Sequence, residues 1–270
     1  MNFLLGAINP IAYSLGPIDV RWYGVIIASG IVLAFIVAQR EMVKRSFHPD
    51  FLTDLLMWAV PLAILGARFY YVLFKWEYYA ENPGQILQIW EGGLAIHGAL
   101  IVSFIVAYLF TRKRSTSFLK VADIAAPSIL IGQTIGRWGN FMNQEAHGGP
   151  VTRSFLENMI LPDWIIEQMK IDSTYYHPTF LYESLWNFTG VVLMILLRRV
   201  NLLRGEMFFF YVIWYSIGRF FIEGMRTDSL YLIGDLRTAQ VVSLLSIAVA
   251  TIIFVYRRIM IKKAIRYKDA

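Results

Sequence analysis

Cysteine is absent from this 270-residue chain, and charge is scarce. Without thiols there are no disulfides, no thiolate zinc sites, no iron–sulfur clusters and no nucleophilic cysteine of the chain's own. Four histidines with no HExxH pattern argue against a catalytic zinc centre, and the Asp-rich metal motif of a nucleotide-lipid transferase is missing too. Charged residues make up 16% of the chain, against about 25% in an ordinary soluble domain. With 57% hydrophobic residues, the surface cannot be mostly wet. No internal repeat or low-complexity tract is visible, which weighs against the paired repeats common in transporters. The net charge of +6 suits either nucleic acid or an anionic membrane, and its distribution must decide.

What is present is a series of apolar runs. Seven reach the roughly 18 residues that a membrane-crossing helix needs. They cover about residues 21–39, 53–74, 95–111, 119–136, 179–198, 206–223 and 237–256. The fold class is therefore an all-α polytopic membrane protein, a single membrane domain over 1–270 with a small external head region at about 137–178. Sixteen of the 25 basic residues lie in alternate connections: Arg40, Lys44 and Arg45; Arg112, Lys113, Arg114 and Lys120; Arg198, Arg199 and Arg204; and six in the tail from Arg257 to Lys268. The positive-inside rule then puts the N-terminus outside and the C-terminus inside. Residues 1–20 hold Pro10, Gly16 and Pro17 without a basic start, so they read as an external arm on the membrane and not a cleaved signal. Trp76, Tyr78, Tyr79 and Trp90 suit the outer interface, and a short amphipathic helix capped by Asp163, with Trp164 and Met169, is expected in the head.

Nine basic residues remain, and seven are arginines. Arg68 lies about 9 Å inside the end of the second run at 1.5 Å per residue. One such arginine can snorkel to the interface. Arg68, Arg137, Arg219 and Arg226 together point instead to a phosphate-bearing ligand at the outer leaflet, which a planar fork of donors suits better than an ammonium. The densest polar stretch runs Gly136-Arg137-Trp138-Gly139-Asn140-Phe141-Met142-Asn143-Gln144-Glu145, then His147-Gly148-Gly149-Pro150. It starts where the fourth run ends, and polar groups among glycines there suggest a backbone-lined anion pocket. Gly132 and Gly136 form a GxxxG that permits close helix approach. Arg219, Glu223 and Arg226 share one helix face, so Glu223 can orient both arginines. His97 and the opening Arg21-Trp22-Tyr23-Gly24 are ordinary taken singly, and His177 and Glu183 stay undecided.

Taken in order, these motifs resemble the prolipoprotein diacylglyceryl transferase family. The carrying residues are Arg21-Trp22-Tyr23-Gly24, Gly66-Ala67-Arg68, Gly92-Gly93 with His97-Gly98, the stretch from Gly136 to Gly148, His177-Pro178-Thr179 with Leu181-Tyr182-Glu183, and Arg219-Phe220 with Glu223 and Arg226. GRxxNFxNxE at 136–145 is close to diagnostic, and Arg226-Thr227-Asp228-Ser229 resembles the Gram-positive version. Ala99 departs from the family's usual third small glycine after the histidine, and its methyl is expected to narrow the approach to His97.

The resemblance implies seven helices with an external head in a bacterial cytoplasmic membrane, and an active site toward the outer face. It implies transfer of diacylglyceryl from phosphatidylglycerol to the lipobox cysteine of a prolipoprotein, leaving a thioether and glycerol phosphate. Membrane lipid and the prolipoprotein signal peptide are the partners; nucleic acid is not. By carry-over, Tyr23, Arg137, Asn140 and Gly148 matter most, followed by His97, Glu145, Arg219 and Glu223. Arg68, Asn143 and Arg226 join Arg137, Arg219 and Gly148 as substrate-binding residues. The chemistry agrees. A substrate thiol of pKa about 8.5 needs only a modest base such as His97, assisted by Tyr23. Arg137 and Arg219 would meet the departing phosphate, Asn140 would orient the headgroup, and Glu145 and Glu223 would fix the arginines. No metal or cofactor is required. The alternative is an outward-facing transporter or receptor for a small anion, which needs a polar path to the inner face. The inner halves of the first, fifth and seventh runs are nearly uniform Ile, Val and Leu.

Overall fold

A computed structural model describes residues 8–200, 202–233, 236–260 and 265–267. The first seven residues of the N-terminal arm, and Lys262, Lys263 and Lys268 of the basic tail, lie outside the described residues. The chain divides into two compact units, Met1–Ala38 with Ala122–Ala270, and Gln39–Val121.

In chain order the elements are β1 (Ile11–Leu15), β2 (Ile18–Arg21), α1 (Trp22–Lys44), α2 (Phe51–Phe74), α3 (Trp76–Glu81), α4 (Ile96–Lys113), α5 (Phe118–Met142), β3 (Pro150–Val151), α6 (Arg153–Asn158), α7 (Asp163–Gln168), β4 (Lys170–Ile171), β5 (Thr174–Tyr176), α8 (Thr179–Leu197), α9 (Glu206–Met225), β6 (Tyr231–Ile233), β7 (Leu236–Arg237) and α10 (Thr238–Met260). Among the described residues, α1, α2, α4, α5, α8 and α10 are long and apolar enough to cross a membrane. Helix α9 matches the sixth expected run in place and has 20 residues, but Glu206, Arg219 and Glu223 interrupt its apolar sequence. Each of those charges has an ionic partner, which lowers the cost of carrying it inside a bundle.

Three local features differ from the sequence expectation. The N-terminal arm is a hairpin: β1 pairs antiparallel with β2 and turns at Gly16-Pro17, with exposed Tyr13, Leu15 and Ile18. The fourth run extends as helix to Met142, so Arg137 and Asn140 stand on α5, not beyond it. The head helix α7 forms, but Pro162 is its cap residue and Asp163 its first helical residue, pairing with Arg153 at 3.5 Å.

Within the first unit, α1 and α5 approach through small residues. A side chain on Gly30 would press on Ile135, and Gly132 faces Ala34 and the Gly30 carbonyl, so the expected GxxxG contact is made. Helices α8 and α9 are clasped by two tryptophans. Trp186 and Trp214 stack at 4.3 Å, and each indole N–H donates to the other's carbonyl at 2.9 and 3.0 Å. Each ring lies over a glycine one turn along the opposite helix, Trp214 on Gly190 and Trp186 on Gly218. Below the clasp, Ala126, Leu130, Val191, Met194 and Met207 form a core shared by α5, α8 and α9. Buried Asp123 accepts from the Gly205 and Phe208 N–H groups and so caps α9. The head, with sheet order β3-β5-β4, packs Leu156, Ile165, Ile166 and Met169 against Phe141 and Phe180. Arg153 binds it from outside, bonding Glu157 at 2.7 Å and also Glu167.

In the second unit α2 and α4 touch at backbone distance. A Cβ on Gly98 would collide with the Gly66 carbonyl and with Tyr70, neither of which can yield cheaply. Gly98→Ala is therefore expected to destabilise the protein by about 1–3 kcal/mol through overpacking, read as a lower melting temperature in detergent.

Candidate active site

The first unit gathers polar side chains where α5, α8 and α9 meet. Arg137 on α5 stands 3.0 Å from Glu183 on α8 through Nε, and donates from Nη1 to Asn140 Oδ1 at 3.2 Å. Arg219 on α9 lies 3.7 Å from the other Glu183 oxygen and 2.7 Å from Glu223. Glu183 and Glu223 are nearly sealed, with side chains 4% exposed, whereas both arginines are 21% exposed. The cluster thus presents guanidinium groups outward over buried carboxylates. Charges balance within it, yet Arg137 Nε and Arg219 Nη1 make no properly directed hydrogen bond. Both of these buried nitrogens face Glu183, so what the arginines offer to an oxyanion is the 21% of each side chain that stays exposed.

The carboxylate that ties the two arginines is Glu183, which the sequence left undecided. Glu145 does not contact Arg137. It accepts from Asn140 Nδ2 at 2.8 Å, so it acts on the arginine only through Asn140. Glu223 pairs with Arg219 but not with Arg226. Arg226 turns away past the end of α9 to a two-point bond with Asp228, at 2.9 and 2.7 Å. The backbone lining expected from the glycines of this stretch is not formed by residues 136–145. Helix continues through 142, so its N–H groups are engaged in the helix, and those of Asn143 and Glu145 bond the Gly139 and Asn140 carbonyls. Side chains form the site.

Asp228 and Arg226 lie outside the membrane-spanning segments. Asp228 is held below the usual carboxylate range, chiefly by its bond to Arg226. Burial lowers the Arg226 guanidinium, but the Asp228 bond and nearby carboxylates raise it on balance. The clasp is therefore fully formed above the ordinary carboxylate range and weakens only as pH falls through the depressed Asp228 value. Loss of activity between about pH 5 and 7 is not expected to originate here; Asp228→Asn should leave the shape of that pH profile unchanged.

Tyr23 packs on α5 beside Asn140. A Cβ on Gly139 would lie 3.0 Å from the Tyr23 ring, so the glycine lets α1 bring this ring against α5. Gly148 is a junction of three segments. Its N–H donates to the His177 carbonyl at 3.0 Å, it pairs with Arg226 across an isolated bridge, and a Cβ there would lie 2.6 Å from that of His177. Asn143 follows the end of α5 with a half-buried side chain. Tyr215, one turn before Arg219, lies within electrostatic reach of Glu183, Arg137 and Arg219 and escaped the sequence reading. Its four-residue spacing to Arg219 was the available signal.

Arg68 and His97 belong to the second unit. Arg68 is 5% exposed, and its donors go to carbonyls: Nε to Ile86 at 2.8 Å, Nη2 to Gln85 at 2.6 Å, and Nη1 to Gly92 and Gly93 at 2.8 and 3.2 Å. It also lies over the Tyr79 ring. Arg68 neither snorkels nor offers a free fork to a phosphate; it staples the 85–93 loop. Gly93, with φ of 68°, is required there, since a Cβ would lie 2.5 Å from Arg68 Nη1. His97 stands exposed in the first turn of α4 beside Tyr70, so the Ala99 methyl does not enclose it. Among the described residues, no group of three or more His, Asp or Glu could hold a metal ion.

A family model described as prolipoprotein diacylglyceryl transferase matches residues 10–256. A phosphatidylglycerol–prolipoprotein diacylglyceryl transferase of Lysinibacillus sphaericus is 65% identical, with 100% of this chain and 99% of the relative aligned. Relatives of the same name from Bacillus velezensis and Halalkalibacterium halodurans are 60% and 56% identical over the whole of this chain, covering 99% and 93% of their own.

Proposed function

Because the chain belongs to the prolipoprotein diacylglyceryl transferase family and carries its phosphatidylglycerol–prolipoprotein diacylglyceryl transferase activity, we propose that the Arg137–Glu183–Arg219 cluster is where the lipid phosphate is held and released. The observation that carries this reading is the pair of partly exposed guanidiniums, from two different helices, set over the sealed carboxylates of Glu183 and Glu223. The family assignment removes the transporter alternative.

The reaction then proceeds by attack of the prolipoprotein thiolate on the glyceryl carbon next to the phosphate. A C–S bond forms, the C–O bond breaks, and the electron pair leaves on glycerol phosphate. The phosphate gains charge as it departs, so the two arginines stabilise the transition state more than the bound lipid. Asn140, bonded to Arg137 and Glu145, holds the Arg137 fork in place, and Glu223 does the same for Arg219. Tyr23, Asn143, Gly148 and Arg226 complete the wall as positioning residues. His97 is assigned the base role from the family resemblance and its imidazole chemistry. Arg68 is assigned to shaping the loop that leads to it. The orientation is the one set by the positive-inside rule, with the cluster toward the outer face, and residues 1–270 acting as one membrane domain.

Incubation of the full chain with phosphatidylglycerol vesicles and a lipobox peptide tests the activity. Mass spectrometry should show a diacylglyceryl adduct that requires the peptide's cysteine. His97→Gln is expected to lower the rate by about 10²–10⁴-fold. Full activity of this variant at every pH tested would end the base assignment and leave Tyr23 as the candidate.

A further inference from the structure

Beneath the charged layer lies a second polar layer, one turn nearer the helix middles. Each helix supplies one member at four-residue spacing: Gln133 before Arg137, Asn187 after Glu183, and Tyr215 before Arg219. Contacts between the helices fix the levels. Ser184 donates to the Thr134 carbonyl at 3.0 Å, Gly190 sits against Leu130, and Trp186 and Trp214 exchange hydrogen bonds. Asn187 is fully buried on the stripe that carries Val191 and Met194 into the core. Neither polar atom of its amide has a hydrogen-bond partner, and Gln133 Oε1 has none either. Gln133 Nε2 donates to the Tyr211 hydroxyl at 3.1 Å, which leaves the Tyr211 proton to be given elsewhere. Gln133, Tyr211 and Tyr215 are half-buried as residues, whereas Asn187 and the Gln133 Oε1 atom are sealed from solvent.

Unpaired amides inside a bundle are costly and rare. The unpaired set here contains acceptors, Asn187 Oδ1 and Gln133 Oε1, as well as a donor, Asn187 Nδ2, and the Tyr211 hydroxyl, already accepting from Gln133, still has its own proton to give. A phosphate or an ester carbonyl brings only acceptors and would leave the two amide oxygens unmet. A hydroxyl both donates and accepts. We propose that this layer is a hydroxyl-reading subsite that takes the glycerol headgroup of phosphatidylglycerol and so selects the lipid donor. The proposal rests on the phosphate role given above to Arg137 and Arg219. Four residues span about 6 Å along a helix, and the headgroup hydroxyls follow the phosphate by a few bonds of about 1.5 Å each, so the spacings agree.

The test compares phosphatidylglycerol with phosphatidylpropanol of the same acyl chains, which keeps the phosphate and lacks both headgroup hydroxyls. Full-length protein in vesicles is given a lipobox peptide, and kcat/KM is read by mass spectrometry for the wild type, Gln133→Leu, Gln133→Met, Asn187→Leu and Arg137→Lys. The wild type should prefer phosphatidylglycerol by about tenfold or more. In the Gln133 and Asn187 variants the preference should fall to about threefold or less, because the loss is concentrated on the hydroxyl-bearing lipid. Arg137→Lys should lower both lipids in proportion and keep the preference. Equal use of both lipids by the wild type, or a preference that survives in all three Gln133 and Asn187 variants, overturns the subsite. Unaltered rates in Arg137→Lys would count against the phosphate reading instead, whatever the preference shows. The two Gln133 variants keep the test decisive if Asn187→Leu fails to fold.

Discussion

Arg137→Ala is expected to reduce diacylglyceryl transfer by about a thousandfold or more while the protein still inserts into membranes. Arg137 is the residue to which the other groups on its face of α5 are fitted. Its Nη1 bonds Asn140 and its Nε faces Glu183. Removing one donor aimed at a developing oxyanion commonly costs a hundred- to a thousandfold in other enzymes. Here the same change also frees Asn140 and leaves Glu183 facing the departing phosphate with one cation fewer. Arg137→Lys keeps the charge but not the planar fork, so an intermediate loss of about ten- to a hundredfold is expected. The measurement is the initial rate of thioether formation on a lipobox peptide, alongside the melting temperature in detergent. A rate near wild type in Arg137→Ala would remove the residue from the mechanism.

The largest effect on stability is expected from Glu183→Ala, at about 3–5 kcal/mol. Glu183 is nearly sealed and stands between two guanidiniums at 3.0 and 3.7 Å. A buried ion pair need not stabilise a fold more than an apolar pair would, but removing one partner strands the other. In this variant Glu223 alone would face Arg219, and Arg137 would keep only the neutral Asn140 amide. Chemical or thermal unfolding in detergent reads the loss. Glu183→Gln, which keeps size and hydrogen-bonding capacity, should recover part of it. A loss below about 1 kcal/mol in Glu183→Ala would mean that the pairs behave as exposed surface bridges.

The spans were legible in the sequence because lipid solvation selects long apolar runs, and six of the described helices meet that criterion directly. The boundaries were less legible for the same reason. Hydropathy senses lipid contact, not helix, so the fourth apolar run ends at 136 although α5 does not. In the structure, Arg137 and Asn140 find side-chain partners and the helix continues to Met142. The site residues on α5 and α9 could be picked out as charges and amides where few are expected. Their partners could not. Glu183 is one carboxylate among several in the sequence, and only the packing of α8 between α5 and α9 brings it to both arginines. Arg68 is an instructive case. Its depth in an apolar run suggested a ligand, whereas the ligands it holds are the carbonyls of its own unit's loop, which no spacing rule reveals. Asn187 was hidden by its apolar neighbours on α8.

The central claim is that Arg137 and Arg219 grip the lipid phosphate. It is tested most directly by binding without turnover: native mass spectrometry of the full chain with phosphatidylglycerol and no thiol acceptor. Wild type and His97→Gln should both retain bound phosphatidylglycerol, and the doubly substituted Arg137→Met, Arg219→Met protein should lose it. Phosphatidylglycerol bound equally well by the double variant, in a folded protein, would contradict the account.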